Sequence, residues 1–84
     1  MARSELNRID YLILNVLYNN KAINPMLGLT IKELNITEVK RTCLCNHLYF
    51  LMESNLICQS GKYGKQKMYY ITEQGIERMM INEG

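Results

Sequence analysis

The chain contains no C-x-x-C pair and only three cysteines, an odd number, so neither a disulfide framework nor a tetrahedral zinc site is spelled out. A reducing, cytoplasmic setting is expected. Histidine is almost absent, with His47 alone, and there is no glycine-rich phosphate loop. Without an acid–base pair or an activated nucleophile there is nothing to build an active site around, so neither an enzyme nor a cofactor is expected, and no pattern points to a small-molecule ligand. Long apolar runs are missing too. The run at 11–18 is short and broken by Asn15, and the first ten residues are polar and charged, from which neither a signal peptide nor a membrane span is expected. No segment is low-complexity or visibly repeated.

What is present is enough for one ordered body. A hydrophobic content of 48% with 21% charged residues excludes a disordered chain. At 84 residues such a chain hides roughly 60 to 65% of its unfolded surface, which allows one modest core and a single domain over 1–84. The net charge of +2 is too small to name a partner, but its placement is uneven: Lys40, Arg41, Lys62, Lys65 and Lys67 follow the middle of the chain.

The first half reads as helices. Ser4 is a candidate N-cap, and Leu6, Ile9, Leu12, Ile13, Val16 and Leu17 recur at helical spacing, predicting a helix over 5–19. Its other side carries a second apolar row of Tyr11, Leu14 and Tyr18, which is either extra core or a subunit interface. Asn24-Pro25 and Gly28 mark a loop, after which Thr30-Ile-Lys-Glu33 spells a capping box for a short helix ending near Ile36. A third helix has three candidate starts, at Thr37, Lys40 or Thr42. It is anchored by Leu44, Leu48 and Leu51 and stops at about Ser54–Asn55, where Asn tolerates the left-handed conformation. The face opposite those leucines holds Thr42, Asn46, Tyr49 and Glu53, flanked by Arg41, Cys43, Cys45 and Phe50. Small polar groups, an amide and an aromatic tip suit base edges.

The second half changes period. Residues 56–58 and 68–71 are short apolar runs rich in aromatic or β-branched residues, and between them stand Gly61, Gly64 and three lysines. This predicts a two-stranded hairpin with a cationic tip, packed on the preceding helix because an isolated hairpin is marginal. Thr72 caps a last helix over 73–82, with Ile76, Met79 and Met80 on one face. The fold class expected is mainly α with a small β-hairpin, in the order helix, helix, helix, strand, strand, helix. A one- or two-residue strand near Leu29 is an optional addition.

This order, ending in LICQSGKYGKQKMYYITEQG, resembles the winged helix-turn-helix domain of bacterial and archaeal regulators of the MarR, PadR and ArsR type. The resemblance covers about 9–80 and is most specific over 48–75. It implies a three-helix core, a two-stranded wing and a C-terminal helix, binding duplex DNA as a homodimer with the third helix in the major groove and the wing on the backbone or in the minor groove. By position, Arg41, Thr42, Asn46 and Tyr49 belong to the reading face, with Lys40 and Cys45 beside them, and Lys62, Lys65 and Lys67 to the wing. The dimer interface expected is Tyr11, Leu14 and Tyr18 with Met79, Met80 and Ile81. Transcriptional regulation is the leading expectation. The alternatives are a protein–protein module on the same fold, or DNA binding for plasmid or viral replication or segregation. Cys43, Cys45 and His47 also invite a metal-sensor reading, because some ArsR-type sensors use a C-x-C box. On one helix, however, residues two apart point about 200° apart, so the two thiols cannot share an ion without unwinding.

Overall fold

A computed structural model describes the backbone of residues 6–83 and the side chains of all of these except Lys62, Tyr63, Asn82 and Glu83. The elements follow the expected order: α1 (Arg8–Asn19), β1 (Leu29–Thr30), α2 (Ile31–Leu34), α3 (Arg41–Glu53), β2 (Ile57–Tyr63), β3 (Gln66–Ile71) and α4 (Glu73–Glu83). One 3-10 turn, Pro25–Leu27, precedes β1.

α1 begins later than its periodicity suggests. Ser4 and Glu5 lie outside the described residues, and the cap is Asn7, whose side chain accepts from the Asp10 amide at 3.1 Å while the Asp10 carboxylate accepts from the Asn7 amide at 2.9 Å. This reciprocal pair satisfies two donors that helix geometry leaves over, so the helix starts at Arg8. Four elements, α2, α3, α4 and β3, pack on α1. They cover it widely enough that Leu14 is fully buried beside Ile13 and Leu17, which corrects its assignment to a subunit interface. Met79 of α4 is likewise inside the core at 3% exposure. Tyr11 is half-buried, while Tyr18, Met80 and Ile81 remain exposed.

The Thr30–Glu33 capping box forms as spelled, with Thr30 Oγ1 accepting from the Glu33 amide at 3.2 Å and Glu33 Oε1 accepting from the Thr30 amide at 3.0 Å. α2 is only one turn long because Asn35 enters the left-handed region at φ 52° and turns the chain away. Of the three candidate starts for α3, Lys40 is the cap residue, and its side chain makes no capping hydrogen bond. Leu44, Leu48 and Leu51 face inward, and Asn55 at φ 62° ends the helix as expected.

The sheet is antiparallel with order β1-β3-β2, so the two residues of β1 make the wing hairpin part of a three-stranded sheet. Both wing strands are longer than their apolar runs. The lysine and glycine segment itself pairs, Lys62 opposite Lys67 and Tyr63 opposite Gln66, and a tight turn is left at Gly64, whose φ of 62° few other residues adopt. Ser60 is the extra residue of a bulge between Gln59 and Gly61. At the far end Thr72 Oγ1 accepts from the Gly75 amide at 3.1 Å and donates to the Asn55 carbonyl at 2.7 Å, joining the cap of α4 to the end of α3. Gly75 sits so close to the chain entering β2 that a Cβ there would stand 2.2 Å from the Leu56 carbonyl oxygen. The resulting arrangement is a winged helix, with α1, α2 and α3 as the helical core and the β2–β3 hairpin as the wing.

Candidate nucleic-acid interface

Burying Leu44, Leu48 and Leu51 turns the rest of α3 outward. Thr42, Asn46, Tyr49 and Glu53 are exposed there, with Tyr49 at 56%, and Arg41, Cys43 and Cys45 are exposed on either side. The Asn46 side chain makes no hydrogen bond among the described residues, so its amide keeps its full donor and acceptor capacity.

The wing folds back toward this face. Between them lies an open cleft of about 360 Å³, with Arg41, Cys45, Asn46 and Tyr49 on the α3 side. Lys65, Gln66, Lys67 and Tyr69 form the wing side, and Ile31 of α2 closes one end. Three cations thus share a cleft that, among the described residues, no carboxylate lines, although acidic residues nearly balance basic ones over the whole chain. Such a surface favours an anion, and its amide and aromatic groups add hydrogen-bonding and stacking capacity. Tyr69 belongs to the buried side of β3, and burial raises its phenol above the ordinary value, with the nearby Cys45 adding to the effect. The hydroxyl therefore stays protonated and able to donate across the neutral range. Tyr70, on the other side of the strand, is also raised, chiefly by its hydrogen bond with Cys58, its cross-strand partner.

Six of the residues expected in the interface come together here: Arg41, Cys45, Asn46, Tyr49, Lys65 and Lys67. Lys40 and Thr42 are exposed at the start of α3 but do not line the cleft. The Lys62 side chain lies outside the described residues, its backbone being paired with Lys67. Ile31, Gln66 and Tyr69 were not anticipated. Tyr69 could have been found from strand alternation, because it is two residues from Lys67 and so shares its face.

His47 turns away from the cleft. Its Nδ1 lies 2.7 Å from Oδ1 of Asp10, a carboxylate with no exposed surface, so this imidazole is engaged with α1 and not directed at the flanking thiols. Among the described residues no group of three His, Cys, Asp or Glu side chains could hold a metal ion.

The solved structure of TubR from Bacillus megaterium pBM400 superposes on this chain with a TM-score of 0.84. The match covers 94% of this chain and 88% of that one at 21% sequence identity. At that identity the likeness is one of fold, and it extends through the helical core and wing alike. No protein-family model matches the chain, and no curated protein is significantly similar in sequence. Among the described residues no helix is long and apolar enough to cross a membrane.

Proposed function

We propose that the chain is a sequence-selective double-stranded DNA-binding protein, acting as a homodimer with α3 in the major groove and the wing against the phosphate backbone or in the minor groove. The observation that carries this reading is the single cleft in which the free amide of Asn46 and the tip of Tyr49 stand beside Arg41, Lys65 and Lys67 with no carboxylate among them. Lysines and arginine neutralise phosphates and release counterions, which supplies affinity without sequence preference. An Asn amide can pair in two places with an adenine edge, which supplies preference. The likeness to TubR supports the winged-helix frame of this reading; transcriptional control of the MarR, PadR or ArsR kind and plasmid or viral replication or segregation are the settings in which such a surface meets duplex DNA.

The test pairs binding with melting, using a duplex enriched by the unaltered protein from a random-sequence library. Asn46→Ala is expected to weaken that duplex by about 1 to 3 kcal/mol, the range of a good base contact, and to leave random duplex and melting nearly unchanged. Leu48→Ala serves as the contrast, since removing a leucine 1% exposed is expected to cost about 2 to 5 kcal/mol of stability. Equal loss on enriched and random duplex in Asn46→Ala would show that α3 positions the protein without reading sequence. Absence of duplex binding at low salt would favour the protein–protein module.

A further inference from the structure

Asp10 is fully buried, yet it is a carboxylate in a row of aliphatic side chains. One oxygen accepts from the Asn7 amide and completes the α1 cap, and the other meets His47 Nδ1, thirty-seven positions away on α3. A carboxylate in such a place is costly unless paired, and two apolar residues of similar volume would pack at least as well. What the pair adds is direction. Leucine contacts tolerate rotation of a helix about its axis, whereas a 2.7 Å hydrogen bond does not. α3 has particular need of such a fixed point, because α1 and α2 both carry capping boxes and α3 has no side-chain cap at all. His47 also follows Asn46 directly and precedes Tyr49 by two positions, so any rotation it prevents is a rotation of the outward face.

We propose that His47, held by Asp10, is the positioning residue that sets the rotation of α3 and hence the direction in which Asn46 and Tyr49 face. With the Asp10 oxygen as acceptor, the Nδ1–H of His47 is the donor of this bond. The role rests on the DNA-binding reading, and the experiment separates the two. Asp10→Leu/His47→Leu replaces the pair by apolar groups, and His47→Asn keeps an amide N–H close to the place of Nδ1–H. If the double variant does not fold, His47→Ala takes its place. Residual dipolar couplings of the free proteins measure the orientation of α3 against α1. Binding to the enriched and random duplexes, at a temperature where every variant is folded, measures selectivity.

The double variant is expected to show altered couplings in α3 and about a tenfold loss of preference for the enriched duplex, with random binding held within about threefold. His47→Asn is expected to restore both. A purely structural pair would change melting alone, so unaltered couplings, or full selectivity in the double variant, would overturn the proposal. Duplex binding without sequence preference in the unaltered protein would instead remove the DNA-reading function, and the couplings would still decide the orientation role.

Discussion

Tyr69 shows how one side chain can serve both core and cleft. It is 5% exposed, lies on the central strand and lines the cleft beside Lys67. Its raised phenol pKa is caused first by burial and then by the nearby Cys45, which means that the folded protein holds the proton more tightly than the unfolded chain does. The linkage follows in sign: this contribution to stability is fully present below the unfolded value near 10.0 and is lost as pH rises through the folded value. Melting temperature is therefore expected to fall as pH climbs above about 10, and Tyr69→Phe is expected to flatten part of that fall. A melting series in both proteins decides it, and identical slopes would sink the assignment. His47 and Asp10 show what a residue-by-residue reading of sequence passes over. The wheel of α1 places Asp10 on the buried side with Ile13, Leu14 and Leu17, and that polar intrusion was the available sign of a partner. The identity of the partner was not legible, since it lies in another helix and is brought near only by packing.

At the scale of elements, the proposed function assigns affinity and preference to different parts of the fold. The wing presents Lys65 on its turn and Lys67 on β3 as exposed side chains, placed to meet phosphates, whereas α3 presents its amide and phenol from a helix anchored by three leucines. Lys65→Ala and Lys67→Ala are expected to weaken enriched and random duplex alike, and each to lower the slope of log binding constant against log salt by about one unit. A salt titration of the double variant with an unchanged slope would take the wing out of the interface. The elements were legible in the sequence because local chemistry decides them: the Thr30–Glu33 box, the Asn55 stop, and the change from helical to strand period all act within a few residues. The length of the wing was not. Its lysines and glycines look like a loop, and they pair only because β3, held between β1 and β2, extends the ladder past the apolar run. The start of α3 was equally open, since its first turn has no side-chain cap to announce it.

On the proposed DNA-binding reading, the question for the whole molecule is how many copies meet the duplex. One chain measures 36 × 25 × 22 Å and offers a single α3. Reading two half-sites about 34 Å apart, centre to centre, requires a second copy related by a two-fold axis. Burial narrows where that copy docks. Leu14 and Met79 are spent in the chain's own core, and of the side chains first considered for the interface Tyr18, Met80 and Ile81 remain exposed at 37%, 48% and 77%. Tyr18 and Ile81 belong to α1 and α4, which pack on each other, so a dimer built from this pair of helices leaves the α3–wing cleft open to DNA. The expected outcome is a dimer by sedimentation, converted to monomer by Ile81→Glu or Tyr18→Glu with little change in melting, because charging an exposed position disturbs association without opening the core. Leu14→Ala should behave oppositely, losing about 2 to 5 kcal/mol of folding stability through the cavity it leaves. The monomeric variants should retain weak, salt-sensitive binding to random duplex and lose most of the preference for the enriched one, since each then engages one half-site. A monomer at tens of micromolar in the unaltered protein would overturn the dimer, and a dimer indifferent to both glutamate substitutions would move its interface away from α1 and α4.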